Sequence, residues 1–215
     1  MKNNTGFFIS NYKTIFWQIG FAWFFILMLN ITLNYVSFDS DVAFLQIKQT
    51  EVNGISPYLF IFYIHVSTAI FTLFAGFTQF NNSILKNRTG VHRNIGKLYV
   101  FVVLFLAAPS GLFIGLFANG GFYAKVSFIA LSILWFYFTL KGFLSVKKNQ
   151  MATHKAFMLR SFSLAFSAIT LRLWKVILVY LFHPPPMDVY QIIAWLGWIP
   201  NLLLVEYLIF KEKSK

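Results

Sequence analysis

Apolar residues in this chain come in long blocks rather than in alternation. Runs at about 14–36, 57–80, 97–118, 122–145, 156–182 and 189–210 each reach the roughly 20 residues that an α-helix needs to cross a hydrocarbon core about 30 Å thick. The first block, Thr14 to Val36, is too long for the apolar region of a secretory signal. No small-x-small cleavage site follows it, so it reads as a permanent span. Polar punctuation separates the blocks. Asn119-Gly120-Gly121 makes a tight turn and so places the third and fourth spans side by side, antiparallel. Pro184-Pro185-Pro186 ends the fifth helix just after His183, because proline has no N–H to continue the ladder. The longest connection, Ser37 to Ser56, alternates apolar and polar residues around Val42 to Ile47 and is expected to lie on the membrane surface as a short amphipathic cap. Pro57 is expected to open the second span as its first helical residue, with Ser56 as the cap. No repeat, low-complexity tract or linker interrupts the pattern. The expectation is an all-α integral membrane bundle of six transmembrane helices, one domain over residues 1–215.

Composition agrees. The chain is 58% hydrophobic and 11% charged, whereas soluble domains are about half apolar and a quarter charged. It has no cysteine, which removes disulfides, thiolate metal sites and redox thiols. The net charge of +12 would suggest nucleic acid in a soluble protein, but its placement gives another reason. With the N-terminus cytoplasmic, all but Lys48, Lys125, Arg172 and Lys175 of the 18 basic residues fall on the inner side, and Asp39, Asp41, Glu51 and Asp188 fall on the outer side. This is a positive-inside pattern. It predicts both termini in the cytoplasm and the lipid bilayer, not nucleic acid, as the partner.

Within the spans, polar residues gather on single faces. The second span puts His65, Thr68, Ala69, Thr72, Gly76 and Gln79 on one face, a mark of helix contact or a cavity wall. In the third, His92, Gly96, Tyr99 and Ser110 share a face. There Pro109-Ser110-Gly111 interrupts the ladder, where freed carbonyls can line a site. The fifth span, from His154 to Lys175, is the most polar, carrying His154, Arg160, Arg172 and Lys175. On an ideal helix His154, Ser161, Ala165, Arg172 and His183 fall along one line. Arg160 can reach headgroups or Glu206 on the sixth span. Arg172 has no acidic residue at its depth, so its expected partners are carbonyls, water or an anionic ligand. Ionisable groups inside a bilayer cost roughly 2.5–3.5 kcal/mol each on insertion scales, which marks this helix as the place to look for function.

Topology sorts these candidates into two layers. His92 and His154 lie at the cytoplasmic ends of their helices, flanked by Arg93 and Arg160. Two facing imidazoles with cations nearby are what a b-type haem between helices requires: His92 and His154 as iron ligands, the arginines at its propionates. A histidine pair can equally hold a transition metal. Farther out, His65, Ser110 and Arg172 form a second candidate site, for a second haem, a quinone or another polar headgroup. No zincin, phosphate-loop or Ser-His-Asp pattern occurs.

The order of these residues also carries a resemblance. His65 with Gln79, His92-Arg93-x-x-Gly96-x-x-Tyr99, Pro109-Ser110-Gly111, Gly120-Gly121 and His154-x-x-x-Met158-x-Arg160-Ser161 through Thr170-x-Arg172 resemble the bacterial membrane-protein family called domain of unknown function 2306, over about residues 60–180. The resemblance implies a multi-pass protein of the bacterial inner membrane and supplies no reaction. More loosely, the layout is similar to cytochrome b561-type membrane haem proteins. Those use histidine pairs on four central helices, whereas the fourth span here has none. Three functions follow as expectations. The first is binding of haem b and membrane electron transfer, as an oxidoreductase with a quinone or redox partner. The second is transport or binding of a small anionic solute or lipid in an intramembrane cavity. The third is an assembly subunit packed on a partner.

Overall fold

In a computed structural model, residues 19–20, 22–80 and 82–214 are described. Among them the chain is all-helical apart from short connections, and no strand occurs. Helix α1 is Ala22–Leu33. A 3-10 helix (Ala43–Lys48) and α2 (Gln49–Gly54) lead to α3 (Tyr58–Gln79), and the short α4 (Asn82–Asn87) precedes α5 (Thr89–Val102). A π-helical turn (Val103–Ala107) joins α5 to α6 (Ala108–Leu116) without leaving the helix axis; then come α7 (Gly121–Lys147), α8 (Met151–Ala165), α9 (Ser167–Phe182), α10 (Pro186–Leu196) and α11 (Ile199–Lys213).

Among the described residues, four helices are long and apolar enough to cross a membrane: Tyr58–Gly76, Thr89–Leu116, Gly121–Lys147 and Met187–Lys213. The pair α8 and α9 makes a fifth if its 40° bend is counted within one crossing. The first expected span, 14–36, lies partly outside the described residues, and α1 is its described apolar part. Large apolar side chains point outward, Phe60 at 71%, Phe122 at 74% and Tyr180 at 78% exposure. A water-soluble monomer rarely carries so much contiguous apolar surface, but it suits a bilayer.

Small residues set the helix spacing. A Cβ on Gly142 of α7 would stand 2.7 Å from Met158 Sδ of α8, and one on Gly115 of α6 would stand 3.2 Å from Phe128 Cβ of α7. Between them lies the main core of Tyr99, Val103, Ala107, Trp135, Leu164 and Trp198. Gly120 (φ +90°) makes the left-handed turn into α7, as its sequence predicts, and Asn149 (φ +58°) does the same between α7 and α8. Helix α3 starts one residue later than expected: Pro57 sits at the cap position and no side chain caps the helix.

The connection from 43 to 54 packs onto the bundle, burying Leu45 and Lys48 against Tyr58 and Phe117. We call this the glycine-turn end of the bundle and the opposite one the Asn149 end.

The straight stripe from His154 to His183 does not form, because α8 and α9 break at Phe166. Asn201 of α11 donates from Nδ2 to the Ser163 carbonyl (3.3 Å) and to Thr170 Oγ1 (2.9 Å). A side chain inserted into the carbonyl ladder is a recognised cause of a kink. The neighbouring α10–α11 pair is interrupted beside it at Gly197–Trp198, and the Gly197 carbonyl accepts from both Thr170 Oγ1 and Asn201 Nδ2. Two interrupted helices thus lie back to back. No such pair was legible in the sequence.

Candidate functional site

The polar residues separate into a saturated layer and a cavity. In the layer, Ser161 Oγ of α8 meets Tyr99 Oη of α5 at 2.8 Å and Thr139 Oγ1 of α7 at 2.6 Å. Trp135 Nε1 donates to Tyr99 Oη at 3.3 Å. All four side chains are buried, and each polar atom has a partner, which is how a buried network avoids the cost of lost hydration.

Nearer the Asn149 end, His154 Nδ1 donates to the Gly142 carbonyl at 2.8 Å. That bond fixes the tautomer and leaves Nε2 with its lone pair. His92 lies within electrostatic range of it. The His92 Nδ1 is buried without a partner, while its carbonyl accepts from Gln79 Nε2 at 3.1 Å. Arg93 is exposed. Arg160 is engaged by Glu206 in a two-pronged ion pair, Nη2 to Oε2 at 2.7 Å, and stacks near Phe157. Lys155 pairs with Glu212. The structure therefore brings His92 and His154 to one end and sends Arg93 outward, while Arg160 is committed to a carboxylate.

The second site is a cavity of about 460 Å³ toward the glycine-turn end, walled by α1, α3, α6, α7 and α9. Its volume is in the range of small-molecule sites. Most of the wall is apolar, with Met28, Phe62, Leu73, Ile114, Leu131 and Trp135 among its side chains. Arg172 and Lys175, one turn apart on α9, line it together with Lys48, Asn119, Tyr35, Tyr190 and His65. Arg172 is exposed and lines the cavity. Its hydrogen bond is to its own helix, Nη1 to Ala168 O at 2.6 Å. Lys175 lies over the Tyr190 ring at 5.3 Å. Lys48 is different: Nζ bonds Glu51 at 2.8 Å and the Phe117 carbonyl.

His65 is held on the cavity wall from behind. Its Nδ1 lies 3.0 Å from the Ala107 carbonyl at the end of the π turn and 3.2 Å from Ser110 Oγ, which itself donates to Leu106 O. Side chains commonly take up carbonyls at such irregular turns. His65 and Ser110 are thus in contact, and His65 shares the cavity with Arg172. His183 ends α9 at φ +47°, exposed and apart from both sites. A shallower groove along Phe60, Tyr63, Ile64 and Leu106 is almost wholly apolar and carries no charge. Among the described residues no group of three or more His, Cys, Asp or Glu side chains could hold a metal ion.

Sequence reasoning left Lys175 out of the site, although its spacing of three from Arg172 puts both on one face. For Asn119 the sequence signals only a turn. Tyr190, Thr139 and Trp135 gave no sequence signal, because their roles depend on which helices become neighbours.

Residues 62–209 match the family described as Predicted membrane protein (DUF2306), and the chain belongs to it. The curated proteins and the solved structures give no match, so nothing stands beside the looser likeness to cytochrome b561-type proteins.

Proposed function

We propose that this member of a membrane-protein family binds an anionic amphiphile, a lipid or lipid-like solute, in the cavity between α3, α7 and α9, and presents it or passes it across the membrane. The observation that carries this reading is that Arg172 and Lys175 line an otherwise largely apolar cavity, and no carboxylate among the described residues pairs with either. An uncompensated cation in low dielectric costs several kcal/mol. A chain that keeps two of them on one cavity has a use for a counter-ion there. The apolar walls add the other half of the ligand, since burying its chain is favourable at about 25 cal/mol per Å². The bend between α8 and α9 lies on the cavity wall, where Leu164, Ala165, Ser167 and Ala168 line it, and irregular backbone within a bilayer is tolerated where it lines a cavity.

The six-span single-domain topology with cytoplasmic termini belongs to the same proposal. It sets the Asn149 end in the cytoplasm of a bacterial cell and the glycine-turn end outside, following the basic residues. Trp135 lies on the cavity wall, so with the other five tryptophans replaced by phenylalanine its fluorescence reports occupancy. Titrating the protein in maltoside micelles with a brominated fatty acid should quench saturably, and Arg172→Ala should weaken the effect at least tenfold. Equal quenching by a brominated zwitterionic lysolipid, or no effect of Arg172→Ala, sinks the reading.

A second reading, haem b and electron transfer at His92 and His154, is favoured by one observation. His154 has a fixed tautomer with Nε2 free, and His92 keeps a buried Nδ1 without a partner. His92 and His154 would hold the iron, and Arg93 rather than Arg160 would meet a propionate. Haem would supply one-electron transfer, to a quinone or a redox partner. A reduced-minus-oxidised spectrum of protein from haem-supplied cells, lacking b-type bands, refutes it.

A further inference from the structure

We infer that the head of the cavity's ligand is a phosphate monoester dianion rather than a carboxylate or a neutral quinone. The inference rests on the proposal of an anionic amphiphile and narrows it. Three features of the cavity point the same way.

Charge comes first. Three cations line the cavity, Lys48, Arg172 and Lys175, and no Asp or Glu does so among the described residues. Lys48 is already neutralised by Glu51 at 2.8 Å. Two positive charges remain, one helical turn apart on α9, about 4.5 Å along its axis. A fatty-acid carboxylate cancels one of them and strands the other. A quinone cancels neither. A phosphate monoester carries about −1.5 to −2 at neutral pH and matches both.

Hydrogen-bonding capacity comes second. Guanidinium and ammonium groups donate and never accept. Arg172 spends one N–H on Ala168 O and keeps the rest of a planar fork suited to phosphate oxygens. Asn119 adds a third donor. Asn119 also lines the cavity, and its Nδ2 is buried without a partner. Buried amide donors are rarely left unpaired, and this one is an independent sign of an absent acceptor. Three donor groups meet the three terminal oxygens of a monoester, where a carboxylate offers two.

Convergence comes third. The Asn119–Gly121 turn is pressed against α10, where a Cβ on Gly120 would stand 2.9 Å from Tyr190 Cβ. Lys175 lies over the ring of the same Tyr190. Tyr190 therefore holds Asn119 and Lys175 to one end of the cavity, and Arg172 follows one turn deeper. The head would sit there, with its chain directed along Leu131, Trp135 and Leu164.

The test is a calorimetric titration of the full chain in maltoside micelles with dodecyl phosphate, dodecanoate and inorganic phosphate. Dodecyl phosphate should bind at least tenfold more tightly than dodecanoate. Arg172→Met and Lys175→Met should each abolish that preference, and Asn119→Ala should reduce it about threefold, with helicity checked by circular dichroism. Dodecanoate binding as tightly as dodecyl phosphate overturns the phosphate head and leaves the anionic-amphiphile proposal standing. Inorganic phosphate binding as tightly as dodecyl phosphate upholds the phosphate head and overturns the amphiphile, assigning the site to a soluble ester. No binding of any of the three overturns both.

Discussion

Helices α8 and α9 are two halves of one bent pair, and they treat their cationic residues in opposite ways, Lys155 and Arg160 of α8 pairing with Glu212 and Glu206. On α8, His154, Arg160, Ser161 and Ser163 all have partners within the protein. On α9, Thr170 is bonded to Gly197 O and Asn201, but among the described residues Arg172 has only its own helix and Lys175 only an aromatic ring. The break at Phe166 divides the two regimes. A buried polar group that is fully paired stabilises a unique packing, and one left unpaired costs stability unless something else completes it. The contrast therefore separates residues that hold the helices together from residues kept available for a ligand. It does so more sharply than residue type, since both halves carry an arginine.

The largest effect should come from the contact that lets α8 be saturated. Gly142 allows α8 to approach α7 so closely that an added Cβ would meet Met158 Sδ at 2.7 Å. That approach puts His154 Nδ1 on the Gly142 carbonyl and Ser161 against Thr139. Gly142→Leu should push the helices apart and cost about 3 kcal/mol, the upper part of the range for overpacking. It should be read as a lower thermal midpoint of helical circular dichroism in maltoside micelles. An unchanged midpoint would mean that the layer does not depend on this approach.

A smaller effect isolates the layer itself. Tyr99→Phe keeps the ring and removes the hydroxyl, leaving Trp135 Nε1 without its acceptor while Ser161 keeps Thr139. The expected loss is about 1–2 kcal/mol, that of one unsatisfied buried donor. Binding in the cavity should be unchanged. If binding falls with stability, the layer and the cavity act as one unit and the division at Phe166 is wrong.

How much of this was legible from residues alone depends on what each feature requires. Apolar run length is a local property, so the runs at 57–80, 97–118, 122–145 and 189–210 anticipate Tyr58–Gly76, Thr89–Leu116, Gly121–Lys147 and Met187–Lys213. The third helix begins eight residues before its apolar run, because hydropathy is blind to its polar first turns around His92 and Arg93. The pairing of Arg160 with Glu206 was legible as an option, since both lie toward the Asn149 ends of their helices and carry opposite charges. The alignment of His154 with His183 failed for a physical reason. Projection at a constant 100° per residue assumes an unbroken helix, and Asn201 breaks this one from outside. The cavity was legible only as separate polar residues on separate helices. Which wall Tyr190 or Asn119 would join is a long-range fact that no local pattern encodes.

The smallest expected effect is the most discriminating, because its sign is opposite. Arg172→Met removes a cation that no carboxylate among the described residues balances, and keeps an unbranched side chain of similar length to fill the space. The Ala168 carbonyl loses the guanidinium but remains within α9, where the backbone ladder serves it. Replacing a cation that no carboxylate compensates on a largely apolar cavity wall with an apolar side chain should be neutral or stabilising, as for poorly compensated charges in low dielectric. In ligand-free protein in a neutral detergent, Arg172→Met should therefore raise stability slightly, by less than about 1 kcal/mol, where Tyr99→Phe lowers it. Adding dodecyl phosphate should reverse the order, because a ligand that binds only the folded wild type stabilises it in proportion to occupancy. Thermal midpoints of the two proteins with and without that probe provide the measurement. If Arg172→Met destabilises the free protein as much as Tyr99→Phe does, Arg172 is a structural residue like those on α8. The two halves of the bent helix would then differ only in which partners satisfy them.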